Sequence, residues 1–247
     1  MGLLSRLNRS GNEILSPTVV DPGFKSADRA MEEGAAAGAS VVGIEQKLDD
    51  GTTTRFVAVA VPTASGTQTA GVQVMHGPAQ VLARLRLGVE VLVRHSDGDE
   101  VVLDWPAMCA RWDVADEPGQ KRRGKPPAQG VTDKAVGWAD QRRLKKWTPR
   151  RATITALSRR DGAIGPTLNF DVALQLDDGA QAVAGNAEIP FYAAWLAAPG
   201  AELPVAVDPK DPAKAVVDWA AAANEPSRTP GRLDDPPPDG SAAALLA

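Results

Sequence analysis

The sequence predicts a mainly β protein with short helices, made of two copies of one small unit. Three observations carry this expectation. The run Val101-Val102-Leu103-Asp104-Trp105 recurs as Ala215-Val216-Val217-Asp218-Trp219. Gly88 precedes Trp105 by 17 residues and Gly200 precedes Trp219 by 19, so the landmarks keep register between the copies. Short Val-rich runs, separated by Gly, Pro and Asp turn signals, fill the rest of each copy.

The first copy opens on a short helix, Ala27 to Glu33, ended by Gly34. A strand follows over Ser40–Glu45, and Asp49-Asp50-Gly51 signals a turn. The next strand, Arg55 to Pro62, sets Phe56, Ala58 and Ala60 on one face and Val57, Val59 and Val61 on the other, so both faces should be buried. Thr69 to Met75 is a third strand. Pro78 starts a helix over Ala79–Leu87, where Val81, Leu82 and Leu85 share a face and Gly88 ends it. Val89 to Arg94 and Val101 to Trp105 form the last two strands around Ser96-Asp97-Gly98-Asp99.

The second copy repeats the order. A helix begins at Ala139-Asp140, and strands follow over Ala152–Leu157, Leu168–Leu176 and Gln181–Ile189. A Pro-led helix covers Pro190–Leu196 and stops at Pro199-Gly200. Leu203–Val207 and Ala215–Trp219 close the unit around Asp208-Pro209-Lys210-Asp211-Pro212. Helix, three strands, helix, two strands is the order of an OB-like small β-barrel whose second helix plugs one end. An SH3-like small barrel and a split sheet with a helix remain structural alternatives. The expected division is an N-terminal arm (1–26), a first OB-like domain (27–105), a flexible basic Pro/Gly-rich connector (106–138), a second OB-like domain (139–219) and a disordered tail (220–247).

The stretch from Gly200 through Val207-Asp208-Pro209-Lys210-Asp211-Pro212 to Asp218-Trp219 resembles a small β-rich domain of unknown function common in actinobacterial proteins, often in tandem or beside membrane segments. The resemblance spans most of residues 151–219. The first copy keeps Gly88, Val91, Val93 and Leu103-Asp104-Trp105 but has Arg94-His95-Ser96-Asp97-Gly98 in place of the Asp-Pro turn. The resemblance implies a fold and no activity or catalytic residue. Gly88, Asp104, Trp105, Gly200, Asp218 and Trp219 are read as structural anchors. Asp104 and Asp218 are expected to cap a turn or meet an arginine, and the two tryptophans to pack in the core.

Chemistry is scarce. The one cysteine, Cys109, permits no internal disulfide, and the two histidines, His76 and His95, stand apart. No metal site, cofactor site or catalytic residue is assigned, and a non-enzymatic role is expected. Gly119-Gln120-Lys121-Arg122-Arg123-Gly124-Lys125 matches a phosphate loop up to the lysine, but Pro126 stands where Ser or Thr is needed. The pairs Asp49-Asp50, Asp177-Asp178 and Asp234-Asp235 are explained as turn residues. No long apolar run marks a transmembrane segment, and the first residues lack a secretory pattern, so a cytoplasmic protein, or one peripheral to the inner face of the membrane, is expected.

One feature points to a partner. From Lys121 to Arg151 there are eleven basic residues against two acids, in a molecule of net charge −4. Lys121, Arg122, Arg123, Lys125, Arg142, Arg143, Lys145 and Lys146 are its candidate anion-contacting residues. Trp138, Leu144 and Trp147 share the short helix, while Trp112, Trp138 and Trp147 are also candidates for packing the units together. The reading is a binding or scaffold protein acting through two small barrels, with a protein as its expected partner. Nucleic acid bound by the barrels and connector, or an anionic membrane surface, is the alternative.

Overall fold

Alternating Val and small polar residues make strands here, and the glycines and aspartates between them make the turns. The computed structural model describes residues 30–49, 52–63, 66–74, 79–96, 100–110, 120–123, 128–160, 168–225 and 235–246. The expected N-terminal arm, Trp112 and Lys125 lie outside them. The chain forms two compact units, residues 1–78 with 88–129, and residues 79–87 with 130–247. The helix α1 (Ala79–Leu82), which follows the third strand in sequence, thus belongs to the second unit. The first unit extends past Trp105 to residue 129.

The first unit is an antiparallel sheet. Its strands are β1 (Ala35–Asp49), β2 (Thr52–Thr63), β3 (Gly66–Val74), β4 (Glu90–Ser96), β5 (Glu100–Leu103) and β6 (Gln120–Arg123), in the order β5-β4-β1-β2-β3-β6. β1 pairs with β4 through Ala35–Ser40 and with β2 from Ser40 onward, with a register shift between Val41 and Gly43. Such a bulge bends a strand and lets it serve two neighbours. Gly43 has a further constraint, because a Cβ there would lie 2.3 Å from the Ala128 carbonyl oxygen. β2 is buried on both faces as its sequence suggests, with Val57, Val59 and Val61 fully covered and Phe56 and Ala58 equally inaccessible.

The second unit contains a closed five-stranded barrel. β8 (Thr148–Arg159), β9 (Leu168–Leu176), β10 (Gln181–Ile189), β11 (Glu202–Asp208) and β12 (Asp211–Val217) follow the order β10-β12-β11-β8-β9. β10 runs parallel to β12, where Val183 pairs with Lys214, and the other pairings are antiparallel. Ile154, Phe170, Leu174 and Leu203 lie inside it at 0–1 % exposure. The expected helix over 190–196 is a 3-10 turn, Phe191–Ala193, continued by irregular turns, and the one over 79–87 is helical only through Leu82. Bonds from Arg84 N–H to Val81 and from Leu85 N–H to Leu82 close tight turns in place of further helix.

The two units share local geometry. In the first, Gly88 (φ 77°) donates to the Val41 carbonyl at 2.7 Å, while Val41 donates to Val89 at 3.0 Å. In the second, Gly200 (φ 85°) donates to Ile154 at 2.8 Å, while Ile154 donates to Ala201 at 2.9 Å. Val41 and Ile154 each sit at the bulge of a long strand. Both glycines occupy the left-handed region, which a side chain disfavours.

The Asp-Trp pairs differ from expectation in one respect. The strands end at Leu103 and Val217, and the aspartates begin helices, α2 (Trp105–Ala110) and, after α3 (Trp138–Lys146), α4 (Trp219–Asn224). Asp104 Oδ1 accepts from Ala107 N–H at 3.1 Å, and Asp218 Oδ1 accepts from Ala221 N–H at 3.0 Å. Each side chain satisfies an amide that the helix itself leaves open. Trp105 and Trp219 are buried at 2 % and 7 % exposure.

The connector and tail carry more structure than their composition suggests. Between residues 106 and 138 lie most of α2, β6 and β7 (Gly130–Asp133). Asn224 mimics a strand neighbour for β7, accepting from Val131 N–H at 2.8 Å and donating to its carbonyl at 2.9 Å. Beyond α4, Ser241, Ala242 and Ala243 are buried, and Ala242 and Ala243 donate to the carbonyls of Ala197 and Ala194 at 2.8 and 3.0 Å. Small side chains allow this close docking, which supplies the burial that a proline-rich composition alone does not promise.

Candidate partner-binding surface

α3 forms where the sequence offers a good dipole match, with Asp140 in the first turn and Arg143, Lys145 and Lys146 in the last. Gln141 reinforces the start by donating from Nε2 to the Val136 carbonyl at 3.0 Å. Trp147 ends the helix in an extended conformation, and Pro149 follows. Leu144 and Trp147 are half-buried, and the helix packs against β11 and β12. Trp138, Arg142, Lys145 and Lys146 recur at the spacing of a single helix face and are all exposed. Trp138 is 74 % exposed.

The basic block divides into paired and unpaired cations. Arg143 binds Asp140 at 2.7 Å and lies over the Trp147 ring. Arg150 joins Asp177 and, at 2.9 Å, Asp178. Arg151 joins Glu225 and, at 2.8 Å, Glu202. These hydrogen bonds hold both arginines firmly charged, and the Arg150 bond draws Asp178 below its usual carboxylate value. Arg142, Lys145 and Lys146 form no ion pair with a described acid. Arg142 lies 5.4 Å from the Trp138 ring centroid, within cation–π range.

The remaining candidates fall elsewhere. Lys121, Arg122 and Arg123 lie on β6, whose backbone pairs with β3 from Gly71 to Val74. Extended, paired backbone of this kind does not converge its amides on a phosphate, which sets the phosphate-loop match aside. Asp177-Asp178 sits at a turn, where Asp178 accepts from Ala180 N–H at 3.0 Å. Gly88, Asp104, Trp105, Gly200, Asp218 and Trp219 do the structural work already described, and Asp104 also binds Arg94 at 2.8 Å. Among the described residues, no group of three or more His, Cys, Asp and Glu is placed to hold a metal, and no helix is long and apolar enough to cross a membrane.

Sequence reasoning missed two sites of the second unit. Tyr192, the only tyrosine, donates from its hydroxyl to Asp133 Oδ2 at 2.7 Å. Burial raises the Asp133 carboxyl, with Tyr192 and backbone amides opposing, and burial beside Asp133 raises the Tyr192 phenol. Arg86 stacks 3.8 Å from the Trp195 ring centroid and approaches Asp235 at 3.8 Å. Burial lowers Arg86 to about 10, which leaves it charged at neutral pH. Neither pairing has a local sequence signal, because the partners are far apart in the chain.

Compared with models of protein families, the chain matches none, and a search of curated proteins finds no match either.

Proposed function

We propose that the protein is a non-enzymatic binding scaffold, built from two OB-like units that act through their outer surfaces. The second unit supports the OB-like reading by its strand order: three strands in sequence, a turn of helix, and a hairpin whose last strand runs parallel to the third. β1 to β5 of the first unit follow the same neighbour order. The shared bulge, left-handed glycine and aspartate cap support descent of both units from one repeated design. The resemblance of residues 151–219 to the actinobacterial domain belongs to this proposal.

The observation that carries the scaffold reading is that each unit's interior is filled by its own side chains, including Phe56 and Val57 in the first and Phe170 and Leu174 in the second. What remains to meet a partner is surface. Leu48 on the first unit and Val183 on the second are large apolar residues left 52 % and 45 % exposed. Co-purification of the full chain at native expression level, followed by crosslinking, tests the proposal. A protein partner should be recovered, and Leu48→Glu or Val183→Lys should reduce that recovery. Absence of a partner, or recovery unchanged in both variants, would overturn it.

A further inference from the structure

We infer that the exposed face of α3 binds single-stranded nucleic acid, with Trp138 as the stacking platform and Arg142, Lys145 and Lys146 as the phosphate contacts. The inference rests on the scaffold reading and names the partner of one of its surfaces.

Trp138 is the one aromatic among the large hydrophobic side chains left exposed in the described residues. An indole in water exposes apolar area at a free-energy cost, and a nucleobase is the planar surface that covers it while keeping its own edges polar. The three unpaired cations begin four residues after Trp138 on the same face and fall within about 6 Å of helix rise. None of the three forms an ion pair with a described acid, whereas Arg143, Arg150 and Arg151 are committed to acids. On α3, cations without a described carboxylate partner therefore stand beside an exposed ring.

The surroundings argue for this partner over two others. A helix that lies in a membrane interface needs a broad apolar face. Besides Trp138 and Ala139, the apolar residues of α3 and its C-cap are Leu144 and Trp147, both half-buried, and the helix packs against β11 and β12. A duplex keeps its base faces stacked internally and offers Trp138 nothing to cover. The barrel itself does not compete for the role. Its β9–β10 face, the usual binding surface of an OB-like barrel, presents Asp171, Gln175, Gln181 and Glu188, while Phe170 points inward.

Fluorescence anisotropy of a labelled oligo-dT strand, titrated with the full chain at several salt concentrations, tests the inference. Binding should weaken with salt at a log–log slope of about −2, as expected for three phosphate contacts on a single strand. Trp138→Ala should weaken it about 5- to 150-fold, the range for loss of one stacked base, and Trp138→Phe should retain most of it. The triple variant R142Q/K145Q/K146Q should flatten the salt dependence. Equal affinity for the duplex, an unchanged affinity in Trp138→Ala, or no binding at low salt would each overturn the inference. Failure to bind DNA combined with Trp138-dependent flotation on phosphatidylserine vesicles would assign the surface to a membrane instead. All α3 variants are exposed-surface changes, and thermal melting of each checks that it folds. The Leu48 and Val183 variants report on the scaffold reading without touching α3, so either idea can fail alone.

Discussion

At the scale of single residues, the aspartate before each tryptophan does more than end a strand. It accepts an amide of the following helix, and in the first unit it also holds Arg94. Asp218→Ala should cost about 0.5–2 kcal/mol, the usual range for a lost N-cap. Asp104→Ala should cost more, because Asp104 is 4 % exposed and its loss leaves half-buried Arg94 without this carboxylate. Urea unfolding of both variants checks the order, and an equal cost would argue against the Arg94 contribution. The Asp-Trp pair was visible in the sequence, and Pro106 behind Asp104 was a readable helix-start signal. The expectation that each aspartate caps a turn or meets an arginine agrees with these bonds, while the helix that begins at each tryptophan was not placed. Asp133 offers a different test. Its folded carboxyl is raised above the unfolded value of about 3.9, so the folded state binds the proton more tightly and stability falls as pH rises through that window. Asp133→Asn keeps an acceptor for Tyr192 and should flatten this part of the melting-temperature profile.

At the scale of elements, α3 shows what charge patterning can and cannot reveal. The block of eleven cations was legible as a run, but the acids that neutralise part of it lie 27 to 74 residues away, at Asp177, Glu202 and Glu225. Only the fold brings them to Arg150 and Arg151. Stability should therefore respond unevenly across the block. Lys145→Ala and Lys146→Ala should stay within about 0.5 kcal/mol of the parent, as exposed substitutions do. Arg151→Ala should lower the urea midpoint by more than either, since it removes two carboxylate contacts at once. An Arg151 variant as stable as the lysine variants would mean that the pairing is only superficial. The short helices were harder to place than the strands. Pro78 and Pro190 announced a turn of helix correctly, yet neither segment gains enough successive bonds to continue, and tight turns take over.

At the scale of the whole molecule, strand order was more legible than the partition of the chain. Alternation and turn residues located β1 to β5 of the sheet and β8 to β12 of the barrel, because each carries its own burial pattern. The segment 79–87 carried no mark of which unit it joins, since Val81, Leu82 and Leu85 would suit any apolar surface. Arg86 against Trp195, and Arg84 donating to the Asp235 carbonyl at 2.9 Å, tie it to the second unit. A fragment spanning 130–247 should therefore melt below one spanning 79–247, and its tryptophan emission should shift to the red as Trp195 loses its cover. Equal melting temperatures would show that the segment adds nothing to the barrel's stability. Removing residues 235–247 from the full chain should produce a similar shift, because Asp235 and the buried Ser241–Ala243 stretch are lost together.

The same assignment has a consequence for synthesis. Residues 79–87 leave the ribosome long before Trp195 exists. The gap from Arg86 to Trp195 corresponds to roughly 5–20 s at elongation rates of about 5–20 residues per second. For that interval Val81, Leu82 and Leu85, all buried in the finished protein, are an apolar segment without its final neighbours. A nascent chain paused in this window carries an apolar segment that the completed protein buries.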